Sequence, residues 1–240
     1  MIDPTKLPQQ APEYDLSELL EAGAHFGHQS RKWHPSMKQY IYMEKDGVHI
    51  FDLAKTAEQL KIAYNFAFQL GQQKKVLIIV GTKRQARELI RTAAEDAGCM
   101  YITARWLGGL LTNWDQVKKS LKRMLEIEEG LANDSYKGYT KFERVQLDKE
   151  RGRLDRFFSG IKNLKAKPDA LFIIDPGREK NAVDEAVSVG VPVMGLVDSN
   201  TDPRALDVAI PANDDALGSI KYIVEAVAAG YKAGRQAKTQ

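Results

Sequence analysis

Two groups of residues have the types and spacing to do chemistry. The first is a set of imidazole and carboxylate donors: His25 and His28 in Ala24-His25-Phe26-Gly27-His28, with Asp198 and the pair Asp214-Asp215 far along the chain. One imidazole and several carboxylates suit a single divalent cation, Zn or Mg. His28, Asp198, Asp214 and Asp215 are the candidate ligands. The competing reading makes Asp214 and Asp215 favourable charges at a helix N-terminus and Asp198 a turn residue. His25 and His28 would share a helix face, yet Gly27 between them argues for a turn.

The second group is cationic. Arg31, Lys32 and Lys38 surround Trp33, a combination in which cations attract phosphate and an aromatic face can stack on a base or ribose. Lys83 and Arg84 follow an apolar run and a glycine, at the start of a helix, where phosphates are often bound. Arg105 and Trp106 open the stretch Arg105-Trp106-Leu107-Gly108-Gly109-Leu110-Leu111-Thr112-Asn113, and Lys118, Lys119 and Lys122 follow it. All of these are candidate RNA contacts. A solvated, merely soluble charged face is the alternative for each.

Catalytic grammar is absent. No Ser/His/Asp or Cys/His arrangement stands out, and neither the phosphate-loop nor the dinucleotide glycine pattern accompanies the lone Gly81. The single Cys99 excludes an internal disulfide and every multi-cysteine zinc motif. An enzyme holding a nucleotide or phosphosugar with Asp198, Asp214, Asp215 and a divalent cation remains the alternative to an RNA-binding protein.

These residues are positioned by a readable frame. Asp15 or Ser17 caps a short helix over Leu16 to Ala22, ended by Gly23. Tyr40–Met43 and Val48–Phe51, joined through Asp46-Gly47, predict a β-hairpin. Helical spacing follows from Leu53 to Leu70. Val76–Val80, Met100–Thr103, Ala170–Asp175, Val193–Asp198 and Val208–Ile210 are apolar runs separated by helical segments, which predicts five strands buried on both faces. The fold class is α/β: a five-stranded parallel, doubly wound sheet of Rossmann or flavodoxin type, gathering functional groups at the carboxyl ends of its strands.

Between the second and third strands lies a charged helical insertion. Trp114, Val117, Leu121 and Met124, and later Leu147, Leu154 and Ile161, form the seam of an antiparallel coiled-coil hairpin. Gly108-Gly109 permits an elbow closed to other residues, with Gly108 taken as the position needing positive φ and Thr112 or Asn113 as the following cap. The elbow is either a buried joint without chemistry or a ligand contact. The expected organisation is a flexible N-terminal arm (1–14), a body (15–111 and 168–231), the hairpin (112–167) and a frayed tail (232–240).

The net charge of +3 is unevenly placed. Residues 105–167 hold 15 basic and 9 acidic residues, whereas the remainder holds 20 and 23. The insertion therefore favours a polyanion partner. No apolar run approaches the length of a membrane span, and the polar segment Met1 to Pro12 has no signal-peptide core, so a cytoplasmic address is expected.

Several motifs in order resemble a known family. Gly23-Ala24-His25-Phe26-Gly27-His28, Gly81-Thr82-Lys83-Arg84, the stretch Arg105 to Asn113, Pro168-Asp169-Ala170-Leu171, Val197-Asp198-Ser199-Asn200-Thr201-Asp202-Pro203 and Ile210-Pro211-Ala212-Asn213-Asp214-Asp215 are similar to bacterial small-subunit ribosomal protein S-two, from about Leu19 to Ala229. The resemblance implies a structural constituent of the small ribosomal subunit with a five-stranded α/β body and a protruding coiled coil. It implies no enzyme, no required cofactor, no membrane and no DNA. Its partners are small-subunit ribosomal RNA, met on the solvent side near the head–body junction, and other small-subunit proteins, among them the mRNA-binding protein S-one where it exists. Arg31, Lys32, Lys83, Arg84, Arg105 and Lys118 fall on or beside family motifs as RNA contacts. His34 stands where relatives often carry asparagine, and the weak net charge departs from the strongly basic habit of ribosomal proteins, which implies RNA contact over limited patches.

Overall fold

A computed structural model describes residues 2–133 and 135–237. The five apolar runs become β4 (Leu77–Val80), β5 (Met100–Ile102), β6 (Ala170–Ile174), β7 (Val193–Val197) and β8 (Val208–Pro211). They form one parallel sheet in the order β5-β4-β6-β7-β8. Alternation along each strand divides its side chains between two cores. Leu77, Ile79, Phe172 and Ile174 join one core, with α2 (Leu53–Gln72), α3 (Arg87–Ala97) and α7 (Leu217–Gln236). Ile78, Val80, Leu171 and Ile173 join the other, with Trp106, Leu110, Leu111, α4 (Trp114–Ala132) and α6 (Lys180–Val189). Covered on both faces, these strands have no room for a polar side, which is why they read as unbroken apolar runs.

α2 and α7 approach so closely that a β-carbon at Gly234 would lie 2.0 Å from the Phe68 carbonyl oxygen. α7 runs on to Gln236, through the segment expected to fray from Lys232. Lys232 Nζ pairs with Asp96 at 2.8 Å and Arg235 donates to the Gly98 carbonyl at 2.9 Å, so the last turn is tied to α3. Residues 238–240 of that expected tail lie outside the described residues. At the other end, residues 2–14, read from the sequence as a flexible arm, lie against α2. Leu7 is buried, and the side-chain Oδ1 of Asn65 accepts from the amides of Gln10 and Ala11 at 2.9 and 2.8 Å.

Ahead of α2 come α1 (Leu16–Glu21), β1 (Phe26–Gln29), β2 (Ile41–Lys45) and β3 (Val48–Phe51). The hairpin β2–β3 turns at Asp46 and Gly47, both at positive φ, as an Asp-Gly turn requires. β1, which the sequence presents as loop, pairs antiparallel with β3 to complete a three-stranded sheet.

The insertion between β5 and β6 holds α4 and α5 (Lys141–Phe158), which pack on one another. α4 buries Val117, Leu121, Met124 and Ile127. Residues 141–146 of α5 are exposed, Leu147 and Leu154 are half-buried, and Phe158 alone in the helix is buried, followed beyond its end by Ile161 and Leu164. Arg123 pairs with Glu150, and Glu128 with Lys162. Advancing along α4 thus moves the partner forward, where one regular antiparallel register would move it back.

Candidate nucleic-acid interface

The carboxyl edge of the sheet collects most of the residues singled out above. In this strand order successive strands are added to one side of β4 and then to the other, so the winding switches between β4 and β6, the crevice where open α/β sheets bind ligands. Lys83 follows β4, Asp175 follows β6 at φ 60°, Asp198 follows β7, and Asp214 and Asp215 follow β8. The crevice is occupied from within. Lys83 Nζ lies 2.6 Å from Asp214 Oδ1, 2.7 Å from Asp215 Oδ1 and 3.2 Å from Asp175 Oδ2. Burial alone would lower the Lys83 pKa, but the bonds to Asp214 and Asp215 and the charge of Asp175 raise it well above its ordinary value, so the ammonium stays charged. Asp214 is pushed up by burial first, then by the Asp175 and Asp198 charges. The more exposed Asp215 is held below the usual carboxylate range by its bond to Lys83.

His28 enters this cluster from β1. Its Nδ1 is 3.0 Å from Asp198 Oδ2 and its Nε2 is 3.7 Å from Asp215 Oδ2. The hydrogen bond to Asp198 raises its pKa against the opposing effect of burial. Ligand atoms of His28, Asp198 and Asp214 lie within 4.8 Å of one another. The four residues proposed from the sequence as a cation site are thus brought together, with an internal ammonium among them.

The candidate RNA contacts divide. Arg31, Lys32 and Lys38 are exposed on short turns after β1, with Arg31 Nε donating to Gln29 at 2.9 Å. Trp33 is half-buried with its ring 5.2 Å from that of His49. Arg84 and Arg105 are exposed, as are Lys118, Lys119 and Lys122 on α4, and Lys122 lies 3.6 Å from Glu126. Two expectations need correction. Lys83 is buried and bound by three carboxylates, so it cannot also reach an external phosphate. Trp106 is 5% exposed with its indole donating to Glu185, so its faces are closed to a base.

Glu185 is the residue the sequence hides. From α6 its carboxylate accepts from Trp106 Nε1 and the Gly109 amide on one oxygen, at 3.1 and 2.7 Å. The other oxygen accepts from the Leu111 and Thr112 amides and the Thr112 hydroxyl, at 3.0, 3.2 and 3.1 Å. Burial opposes its ionisation, but the hydrogen bonds outweigh it and hold its pKa below the usual range. The elbow is therefore a carboxylate-filled nest of backbone amides. Gly109, not Gly108, carries the positive φ, at 91°, and Asn113 caps α4 without a side-chain bond. No signal in the sequence joins Glu185 to a motif 76 residues earlier.

A family model described as Ribosomal protein S2 matches residues 19–234. The chain belongs to the ribosomal protein S2 family. Its members are structural proteins of the small ribosomal subunit, and such proteins are generally not enzymes. The S2 match spans the carboxylate cluster, the elbow and all of the exposed cations named above. Arg87 and Arg178, absent from the sequence reading, also meet at this edge: Arg87 Nε donates to the Thr82 carbonyl and Arg178 Nε to the Thr82 hydroxyl, at 3.3 and 3.2 Å. Among the described residues no helix is long and apolar enough to cross a membrane.

Proposed function

We propose that this chain acts in the cytoplasm as a structural constituent of the small ribosomal subunit, binding its ribosomal RNA through two sets of exposed cations. One set is the loop of Arg31, Lys32, Trp33 and Lys38, with Arg84 and Arg105; the other is Lys118, Lys119 and Lys122 on α4. The observation that carries the reading is the division of charge. These cations stand in solvent, while the crevice in which an α/β enzyme would hold a nucleotide is filled by Lys83 and its carboxylates. Trp33 supplies a half-buried aromatic face beside the cations of its own loop. α4 and α5 are read as the coiled-coil arm of the family, carrying the basic excess outward.

The test is co-sedimentation of the protein with small subunits across a salt series. Recovery in the small-subunit peak, falling as salt rises, is expected. Replacing Lys118, Lys119 and Lys122 by alanine is expected to flatten the salt dependence by up to about 0.7–0.9 per phosphate contact removed. Absence from the peak at low salt would overturn the reading.

Protein partners are favoured by a separate observation. Leu16, Leu20, His25, Tyr42 and Ile50 line a groove of about 430 Å³ between α1 and the small sheet, with Tyr42 73% and Leu20 52% exposed. Such a patch suits the apolar side chains of a neighbouring small-subunit protein or of an S-one homologue. Tyr42→Ser is expected to weaken capture of a purified S-one homologue without altering RNA binding.

The cluster of His28, Asp198, Asp214 and Asp215 is read as the place for a single divalent cation. Its imidazole suits Zn better than Mg. Because Lys83 already neutralises Asp214 and Asp215, His28 and Asp198 would be the principal ligands. Titration calorimetry with zinc and magnesium tests this; no saturable heat with either would remove the cation.

A further inference from the structure

Three carboxylates, Asp198, Asp214 and Asp215, stand beside a loop that we read as meeting a polyanion. On charge alone they oppose that contact, and Lys83 neutralises only two of them directly. The third, Asp198, is turned toward the loop.

The loop has little structure of its own. After β1 it consists of two short 3-10 turns, Ser30–Lys32 and Pro35–Tyr40, and its one buried side chain is Met37, near the far end. Its near end is held by the turn after β7. The His28 amide donates to Asp198 Oδ1 at 3.0 Å and to Ser199 Oγ at 2.8 Å, while His28 Nδ1 meets Asp198 Oδ2 at 3.0 Å. Further on, the His34 amide donates to the Ser199 carbonyl at 2.7 Å. These bonds bracket Arg31, Lys32 and Trp33. The fit is close: a β-carbon at Gly27 would lie 2.9 Å from Ser199 Oγ and 3.2 Å from the His49 carbonyl. Asp198 is itself fixed, accepting from the Ser199 amide at 2.5 Å, and is 1% exposed, so it is a rigid and desolvated anchor.

We infer that Asp198 and Ser199 are positioning residues for RNA binding: they clamp the loop at His28 and His34 so that Arg31 and Lys32 are presented at the sheet's carboxyl edge. Ordering two long cationic side chains and the turn that carries them is an entropic cost of binding. A clamp that meets this cost during folding leaves more of the phosphate attraction as affinity. The inference rests on the reading of Arg31 and Lys32 as RNA contacts.

The sign of one substitution separates positioning from simple electrostatics. Asp198→Asn removes a negative charge near the RNA-facing surface, so Coulomb attraction alone predicts tighter binding. A clamp predicts the opposite. The full-length protein is to be rebound to small subunits depleted of their own copy, and four variants compared: Asp198→Asn, Ser199→Ala, Arg31→Ala with Lys32→Ala, and the Asp198→Asn change on that double background. The expected result is that Asp198→Asn and Ser199→Ala each weaken binding, by about five- to tenfold and about twofold. On the double background Asp198→Asn should add less than about twofold, because residues acting through one another are not additive. A second readout is the salt slope, which should fall in Asp198→Asn toward that of the Arg31/Lys32 variant, although no cation is lost.

Parent-like or tighter binding by Asp198→Asn and Ser199→Ala, with weakened binding by the Arg31/Lys32 variant, would overturn the clamp and leave the RNA reading standing. Fully additive losses would overturn it too. Parent-like binding by the Arg31/Lys32 variant would remove the loop from the RNA contact and the clamp with it. If Asp198→Asn fails to fold, Ser199→Ala, which loses one hydroxyl and no charge, is placed on the double background in its stead and decides the matter by the same cycle.

Discussion

The carboxyl edge of the sheet and the insertion of α4 and α5 are both dense in charge, and they use it in opposite ways. At the edge, one buried ammonium satisfies three carboxylates, and its side chain is only 7% exposed. On the insertion, Arg123 meets Glu150 at 3.0 Å with the two side chains 44% and 33% exposed, and Lys122 and Glu126 are more exposed still. Desolvated charges must be paired, since an orphan left behind has no water to turn to, whereas solvated ones are nearly indifferent to their partners. The buried cluster at the edge therefore uses its charge to hold the fold, and the insertion leaves its charge in solvent. Counting lysines and arginines does not separate these two uses.

The sharpest way to break this contrast is Lys83→Met. It should lower stability by about 3–5 kcal/mol, because Asp175 and Asp214 lose their counter-charge in a buried setting. Chemical denaturation would measure it, and a loss below about 1 kcal/mol would mean the cluster is more solvated than its burial indicates.

Next in size is Glu185→Ala at the elbow, expected to cost about 1–3 kcal/mol because donors on the buried Trp106 and Leu111 and the half-buried Gly109 lose their acceptor. A pH series sharpens it. The folded pKa of Glu185 lies below its ordinary value, so its contribution is complete above the ordinary glutamate range and disappears as pH falls through the lowered value. The stability gap between parent and Glu185→Gln should accordingly be wide at neutral pH and close in acid. A gap that is constant with pH would show that the carboxylate charge is not what holds the nest.

Smaller again is the pair Gly109→Val and Gly108→Val. With φ at 91°, the first should cost about 1–3 kcal/mol in strain. The second should stay within about 0.5 kcal/mol, since a β-carbon there meets nothing within 4 Å. Equal melting temperatures for the two would place the strain elsewhere. Smallest is Arg123→Ala on the insertion, expected to change stability by less than about 1 kcal/mol. A larger loss would show that the insertion, too, is held together by its charges.

Much of the body was legible. All five apolar runs became strands of the parallel sheet, because a strand covered on both faces can carry little but apolar side chains. The Asp46-Gly47 turn was legible because few residues tolerate its backbone. β1 was not: Phe26-Gly27-His28-Gln29 has no apolar alternation, and it is a strand because β3 offers it an edge. The convergence of His28, Asp198, Asp214 and Asp215 was anticipated from the rule that such sheets gather function at strand ends, and the four do meet there. That Lys83 would join them from within was not, since a lysine beside an arginine after a strand looks the same whether it turns inward or out.

The sequence by itself determined the kind of sheet, the place of the insertion and the segments from which the site is drawn. These follow from local matters: which side chains tolerate burial, which backbones turn, where periodicity changes. Only the tertiary structure decided which charges are available. It turned Lys83 into the crevice, closed the faces of Trp106, brought Glu185 to a nest of amides from another segment and set Asp198 against His28. Each of those outcomes depends on desolvation and on partners from distant segments, and neither is a property of a residue's neighbours along the chain.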